Sequence, residues 1–240
     1  RERELLLDAI QSAAQAPDLG AALTATLRTV VENTNAAYGE AWIPDGDELR
    51  FQNAWWTGDS ALESFGRQRS GFQLSRGEGL PGRVWETGAP EWIADLEAGS
   101  EARLPWLGEV DHFGLQTAVA VPVLGTGGSV LTVLMLLTDE SGGRDDRFLE
   151  LLETITAHLG AILQRKLTEA ELAAERERQQ RLLETSPVGI LVVGSDGSVE
   201  QENQRARDIL GVDDDRSVAD AYEHEPWRVT PTGTDTPTLG

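Results

Sequence analysis

The feature that most constrains the fold is a helical run from Arg144 to about Glu184 whose character changes partway. In its first half, apolar residues recur every three or four positions and form a stripe suited to packing on a sheet. The stripe consists of Phe148, Leu152, Ile155, Leu159 and Ile162. From Arg165 onward charged residues dominate, and only Leu167, Ala170 and Ala174 continue an apolar seam. The second half therefore cannot be buried in a globular core, and we predict that the helix leaves one domain and leads to another.

The narrow seam beyond Arg165 indicates how this helix is used. A helix that leaves a domain along such a seam is usually one strand of a two-chain coiled coil, and a single solvated linker helix is the alternative. Glu177 and Arg181 stand four positions apart with the acid first, which favours a pair on the solvent side. We therefore expect a homodimer held through helices.

Two helices and a β-hairpin are predicted at the start of the chain. Residues Glu4 to Ala16 carry a helical apolar stripe that Pro17 closes, and Asp18 can cap a second helix. Segments Glu40 to Ile43 and Leu49 to Trp56 flank a Pro-Asp-Gly-Asp turn, which is typical of a hairpin.

Shorter elements follow the hairpin. Ser75 to Glu78 has capping-box spacing before a short helix at Leu80 to Gly88, and Glu91 to Ile93 is a brief strand. Leu115 to Leu124 and Ser129 to Thr138 have the strongest strand patterns. Because both faces of the first of these carry little charge, we expect a central strand covered on two sides.

A new pattern begins where Ser186-Pro187 stops the long helix. It reads as strand, turn, strand and helix, over Val188 to Val193, Ser195 to Ser198, Val199 to Gln201 and Asn203 to Leu210. The residues from Arg181 onward are too few to close a sheet with a covered face. We expect the opening of a second domain, a disordered tail, and a chain that is a piece of a longer protein, since it begins with Arg1.

Several stretches resemble known signalling families. Gly77-Glu78-Gly79-Leu80-Pro81-Gly82-Arg83-Val84-Trp85-Glu86-Thr87-Gly88-Ala89-Pro90, followed by Gln116-Thr117-Ala118-Val119-Ala120-Val121-Pro122-Val123, resembles the GAF domains of signalling proteins. Leu183-Glu184-Thr185-Ser186-Pro187-Val188-Gly189-Ile190, with Asp196-Gly197 and Asn203 through Gly211, resembles the start of a PAS domain. Acidic tandems of this kind are similar to halophilic archaeal regulators of the bacterio-opsin-activator type and to sensor histidine kinases.

The resemblance implies an α+β fold with a six-stranded antiparallel sheet flanked by helices, then a long connector helix and the start of a PAS-like α+β domain. It implies a ligand pocket between one sheet face and the loop-helix segments, parallel dimerisation through helices, and a place upstream of an output domain. We expect a GAF-like sensor domain at residues 1–163, a coiled-coil linker at 164–185 and a partial PAS-like domain at 186–240.

The charge balance excludes some partners. A formal net charge of −21 gives a surface that repels phosphate backbones and anionic lipids, so we expect no nucleic-acid contact. No apolar run has the length of a membrane span, and we expect a cytoplasmic protein without a membrane segment. Only Lys166 is a lysine among the 20 basic residues. Such a surface suits a halophilic protein because salt screens self-repulsion, and a GC-rich genome is the alternative explanation.

The residue inventory also limits cofactors and catalysis. The absence of cysteine excludes thiol nucleophiles, thiolate metal sites and a covalently attached bilin. His112 lies where some heme-binding GAF sensors carry a histidine, but a lone imidazole usually has a surface or capping role, and we expect neither heme nor another metal. His158 lacks the motif that follows a phosphoacceptor histidine. We therefore expect no enzyme here, although a full-length parent could be a sensor histidine kinase.

Six of the seven tryptophans lie between the first strand and the segment before Leu115. Tryptophan is rarely buried completely and its N–H needs a partner, so the clustering is consistent with the wall of a pocket, and ordinary core packing is the alternative. The predicted ligand-binding residues are Trp42, Trp85, Trp92, Trp106, Phe113, Ala118 and Ala120.

These patterns predict a non-catalytic sensory module that binds a small molecule in the GAF pocket. The long helix would relay occupancy to a downstream output domain, either a histidine kinase or a transcription regulator. The alternative is a structural dimerisation scaffold with an empty GAF pocket. The residues do not identify the ligand.

Overall fold

The computed structural model describes residues 2–69, 71–96, 113–140, 145–195 and 198–211. Trp106, His112 and the predicted tail lie outside the described residues. Contacts divide the chain into two compact units, Arg1–Ala170 and Glu171–Gly240.

The first unit is built around one antiparallel sheet. Its elements are α1 (Glu2–Gln15), α2 (Leu19–Asn33), β1 (Ala36–Asp45), β2 (Glu48–Thr57), α3 (Ser60–Gln68), β3 (Gln73–Ser75), α4 (Gly79–Thr87), β4 (Glu91–Ile93), β5 (Thr117–Leu124), β6 (Val130–Thr138) and the beginning of α5 (Asp146–Glu184). The six strands are ordered β3-β2-β1-β6-β5-β4 and every neighbouring pair is antiparallel. The six-stranded antiparallel sheet and its flanking helices are confirmed.

Local signals account for most element boundaries. The backbone N–H of Ala21 donates to Asp18 Oδ1 at 2.8 Å, so Asp18 caps α2 as predicted. The capping-box prediction for Ser75 is wrong, because Ser75 ends β3 and α4 begins at Gly79. One half of that motif is present, since the Glu78 carboxylate accepts from the Ser75 backbone N–H at 2.8 Å.

One face of the sheet is covered by α1, α2 and the first half of α5. The strand β5 sends Val119, Val121 and Val123 into this layer, and α5 contributes a fully buried apolar stripe. The stripe comprises Leu149, Leu152, Ile155, Leu159 and Leu163. The predicted Phe148 and Ile162 are only partly buried, because the stripe turns slightly around the helix toward Leu149 and Leu163.

The other face of the same sheet is covered by α3 and α4. Because side chains alternate along a strand, the neighbours of the valines in β5, Ala118 and Ala120, point to this second face. They pack with Tyr38, Trp42 and other buried apolar residues from β1, β2 and the two short helices. The prediction that β5 is covered on both sides is confirmed.

Helix α5 is one helix from Asp146 to Glu184, close to the predicted limits. Lys166, the only lysine, is largely buried and donates through Nζ to the carbonyl of Ala16, just beyond the end of α1. The predicted pair of Glu177 and Arg181 is present at 3.8 Å. Among the described residues, no helix combines the length and the apolar character needed to cross a membrane.

The second unit contains the end of α5, then β7 (Leu191–Val193), β8 (Val199–Glu202) and α6 (Gln204–Leu210). Asn203 caps α6 by accepting from the Ala206 N–H at 2.9 Å, and it also accepts from the Ile190 N–H and donates to the Val188 carbonyl. These bonds occupy the backbone that would have extended the strand, so β7 begins at Leu191 instead of the predicted Val188.

Replacing Gly160 with alanine tests the packing of α5 on β5. A Cβ at Gly160 would overlap the backbone carbonyl oxygen of Leu124, which cannot move without shifting β5. We expect Gly160→Ala to lower the free energy of unfolding by about 2–3 kcal/mol, because the backbone of β5 cannot move aside for the added methyl group without distorting the sheet. Urea unfolding followed by tryptophan fluorescence measures the change, since six of the seven tryptophans belong to the first unit.

Gly20→Ala is the matched control for this substitution. Gly20 is also helical, and the nearest atom to its added Cβ is Asp18 Oδ1 at an ordinary 3.5 Å. Alanine there should be neutral or should stabilise by up to about 1 kcal/mol. If Gly160→Ala and Gly20→Ala had the same effect, the close approach of α5 to β5 would be incorrect.

Candidate ligand-binding site

Strand β1 places an acidic residue on the apolar face covered by α3 and α4. Alternation along the strand puts Tyr38, Glu40 and Trp42 on this face, and all three are completely buried. The indole Nε1 of Trp42 donates to Glu40 Oε1 at 2.7 Å, and the hydroxyl of Tyr38 donates to Oε2 at 3.1 Å. The carboxylate is thus held in one orientation by its own strand neighbours.

Glu40 forms a buried ion pair with Arg69, the residue that follows α3. The Nη1 atom of Arg69 lies 3.1 Å from Glu40 Oε2, and both side chains are 0% exposed. Taking two charges out of water costs several kcal/mol for each ion, which the attraction between them offsets only in part. Such a pair is therefore an unusual choice for a position that serves packing alone.

Aromatic rings surround the guanidinium of Arg69. Its Cζ atom lies 4.9 Å from the ring centroid of Phe65, 5.2 Å from Trp42, 5.7 Å from Phe51 and 5.8 Å from Phe72. All four distances fall within the range of cation–π attraction. We call these four rings the aromatic cage. Phe72 is 37% exposed, so it forms the outer rim.

The burial of this site changes its proton equilibria. Burial raises the pKa of Glu40, while Arg69 and the hydrogen bonds from Trp42 and Tyr38 oppose that rise. Burial also raises the pKa of the Tyr38 hydroxyl, and the neighbouring Glu40 adds to the effect. Tyr38 therefore remains a phenol at neutral pH and can serve as a stable hydrogen-bond donor to Glu40.

The predicted ligand-binding residues divide between the two faces of the sheet. Trp42, Trp85, Ala118 and Ala120 belong to the buried cluster around the cage, and Phe113 packs partly buried against it. These positions keep their proposed role. Trp106 lies outside the described residues.

Trp92 lies apart from the other predicted residues. It pairs with Val119 across β4 and β5 and packs edge-on against Phe148 of α5, with ring centroids 6.2 Å apart. Alternation along β4 explains the placement, because Ile93 and not Trp92 points toward the cage. We therefore exclude Trp92 from the proposed pocket.

The two charged residues at the centre of the site were missed in the sequence. The predicted strand began at Glu40, whereas β1 begins at Ala36, so the acid was assigned to a strand end instead of the strand interior. The spacing of Tyr38, Glu40 and Trp42 at every second position was the signal that could have placed the acid on the same strand face as the two aromatic residues. Arg69 carries no comparable signal, because it lies in a polar stretch and reaches Glu40 only through the path of α3.

Other candidate groups do not assemble into a site. Within the part of the chain that the structure describes, no group of three or more His, Asp or Glu side chains is placed to hold a metal. His158 is exposed on α5, where its Nδ1 contacts the Thr154 carbonyl at 2.8 Å. Trp85 also lines an open groove of about 360 Å³ beside the β1–β2 turn, and Arg76 stacks on its ring at 4.0 Å.

The six-stranded antiparallel sheet with helices on both faces is a fold that this chain shares with several solved structures. The GAF domain of a phosphoenolpyruvate-protein phosphotransferase from Coxiella burnetii is 24% identical, with a TM-score of 0.57 over 72% of this chain and 96% of that one. The corresponding GAF domain from Acinetobacter is 14% identical, with a TM-score of 0.56 over 71% and 97%. Free methionine-R-sulfoxide reductase from Neisseria meningitidis, solved with its substrate, is 17% identical, with a TM-score of 0.56 over 70% and 91%.

Family comparisons identify both parts of the sequence. Residues 16–164, more than half of the chain, match the family described as GAF domain, and residues 177–236 match that described as PAS domain. The chain belongs to the GAF domain family and continues into a PAS-like domain, as the sequence motifs predicted. No match was found among curated proteins. The GAF and PAS domains make this a sensory or regulatory module.

A double-mutant cycle tests the buried ion pair. We expect Glu40→Leu or Arg69→Met alone to lower the free energy of unfolding by about 3–5 kcal/mol, because each leaves a buried charge without its counter-charge. The double variant should recover most of that loss, since well-packed apolar residues commonly replace a buried ion pair without penalty. Urea unfolding near neutral pH, followed by tryptophan fluorescence, gives the four free energies.

The exposed pair of Arg28 and Glu32 is the control. Their charged atoms lie 2.9 Å apart, yet both side chains are well exposed. Glu32→Gln should therefore change stability by less than about 1 kcal/mol. Additive effects of Glu40→Leu and Arg69→Met would show that the two side chains do not interact.

Proposed function

We propose that this chain is a non-catalytic sensor that binds a small molecule at the sheet face covered by α3 and α4. The observation that carries the proposal is the buried pair of Glu40 and Arg69 inside an otherwise apolar cluster. Apolar residues of similar volume would stabilise such a position as well or better. A desolvated carboxyl whose pKa is raised by burial, among convergent polar groups, is instead a frequent property of functional sites.

The two faces of β5 supply a route from this site to α5. Ala118 and Ala120 border the site, whereas Val119 and Val121 pack in the cluster that includes Leu152, Ile155 and Leu159 of α5. A ligand that shifts β5 would favour a different packing of α5. Because α5 is one helix through Glu184, it would carry this change to the PAS-like domain.

The proposed organisation follows the sequence prediction. Residues 1–163 are the sensor domain, residues 164–185 a coiled-coil linker, and residues 186–240 the partial PAS-like domain. The module acts in the cytoplasm as a homodimer, upstream of a histidine kinase or transcription regulator. The output domain responds to the change in the helix, and this chain itself catalyses no reaction.

One observation favours the alternative of a dimerisation scaffold. The cluster around the cage is filled by large side chains of the chain itself, and Trp42, Leu80 and Met135 within it are fully buried. A face that is already filled needs no ligand to exclude water. The scaffold would hold output domains together without sensing.

A thermal-shift screen distinguishes the two functions. Nucleotides, heme, amino acids, amines and small aromatic metabolites are titrated against the full chain. A ligand of the sensor should raise the melting temperature in proportion to the logarithm of its concentration, because it binds only the folded state. We expect the shift to disappear in the Glu40→Leu/Arg69→Met double variant, which retains the fold but removes both charges from the site.

Two results would contradict the sensor proposal. A shift of equal size in the double variant would place binding elsewhere. Silence across the screen, together with a dimer in sedimentation, would support the scaffold.

The dimer has its own test in the seam of α5. Ala174 belongs to the predicted seam, whereas Leu172 lies about 200° away around the helix, and both are exposed in the single chain. We expect Ala174→Glu to convert a dimer into a monomer in sedimentation velocity, because it places like charges at the contact, while Leu172→Glu leaves the dimer intact. Dissociation by Leu172→Glu alone would place the contact on another side of α5.

A further inference from the structure

The aromatic cage encloses a charged group with the chemistry that proteins use to bind free organic cations. Four rings lie within 5.8 Å of the Arg69 Cζ atom, and recognition of ligand cations by such rings relies on attraction to their π faces. The Glu40 carboxylate supplies the counter-charge at 3.1 Å. Rings and carboxylate together form a complete receptor for a guanidinium or alkylammonium group.

The receptor is organised independently of the cation that fills it. Trp42 donates to one oxygen of Glu40 and Tyr38 donates to the other, so the carboxylate is oriented by residues of its own strand. Trp42 and Phe51 are paired across β1 and β2, which fixes two rings of the cage on the sheet. The carboxylate and half of the cage would therefore keep their positions if Arg69 left.

Arg69 itself lies at the start of the connection between α3 and β3. Its carbonyl accepts from the Phe72 N–H at 3.0 Å, and the Phe72 carbonyl accepts from the Phe51 N–H at 3.1 Å. Gly71 between them has a φ of 88°, which glycine adopts without strain, and it is exposed. Displacement of the guanidinium would require the hydrogen bonds of Phe72 at this edge of the sheet to rearrange.

We propose that the cage is a binding site for an organic cation of the guanidinium or alkylammonium class, and that Arg69 fills it from within the same chain. The inference rests on the proposed small-molecule site and names its ligand class. An incoming cation takes over the charge of Glu40 while Arg69 moves into water, so no buried charge is left unpaired. An anion bound to Arg69 would instead add a second negative charge beside Glu40, which is unfavourable.

Vacating the cage tests the proposal. Arg69→Ala in the full chain removes the internal cation, and ethylguanidinium chloride is titrated against it by calorimetry and thermal shift at constant ionic strength. We expect saturable binding with a Kd of about 1 mM or tighter. Wild-type protein should bind at least about tenfold more weakly, because its site is occupied by Arg69 most of the time.

Three controls separate cage binding from general salt effects. N-ethylurea has the same shape as ethylguanidinium without its charge, and it should not bind. Glu40→Gln/Arg69→Ala removes the counter-charge and should abolish binding, whereas Glu32→Gln/Arg69→Ala removes an exposed carboxylate and should not. If Arg69→Ala fails to fold, Arg69→Gln serves in its place, because glutamine removes the positive charge and keeps more of the side-chain packing.

The outcomes distinguish this inference from the proposed function. Absence of saturable binding to both Arg69 variants, equal binding of N-ethylurea, or binding that survives Glu40→Gln would overturn the cation site. Equal affinity in wild-type protein would overturn the role of Arg69 as internal occupant. A non-cationic ligand whose thermal shift depends on Glu40 and Arg69 would leave the sensor function standing and contradict the cation class.

Discussion

A sheet buried on both faces is the constraint on which the rest of this structure depends. Because side chains alternate along β1 and β5, every second residue packs under the terminal helices and the others pack under α3 and α4. The face covered by α1, α2 and the first half of α5 receives Val119, Val121 and Val123 from β5, and α5 packs against them. The opposite face holds Glu40 and Arg69. One strand thus separates the element that could transmit a signal from the site that could receive it.

The buried ion pair of Glu40 and Arg69 sets the chemical character of the sheet face covered by α3 and α4. Its desolvation opposes stability, and its aromatic surroundings partly compensate through cation–π attraction and hydrogen bonds from Tyr38 and Trp42. An apolar core at the same place would avoid the desolvation free energy of the two buried charges. The sensor proposal and the inference of a cation site both rest on this arrangement.

Helix α5 begins in the core of the first unit and continues as an exposed helix to Glu184. Its first half is held by the buried stripe ending at Leu163 and by Lys166, whose ammonium group binds the carbonyl of Ala16. Beyond that bond the helix is exposed to Glu184 apart from partly buried Leu167 and Leu183. The single lysine of the chain thus lies at the point where α5 passes from core to solvent.

Local signals in the sequence determined the elements, their order and the family. The cap at Asp18, the hairpin turn, the glycine after α4 and the 3–4 spacing in α5 act over a few residues, so they can be recognised without the fold. Trp85, Ala118 and Ala120 lie in the motifs on such elements and Trp42 in the cluster of tryptophans, and their role in ligand binding stays a prediction. The tertiary structure alone decided which face each strand residue takes, and it excluded Trp92 from the site and brought Arg69 to Glu40. Those two residues are 29 positions apart, and their meeting depends on the path of α3 across the sheet, which no local pattern encodes.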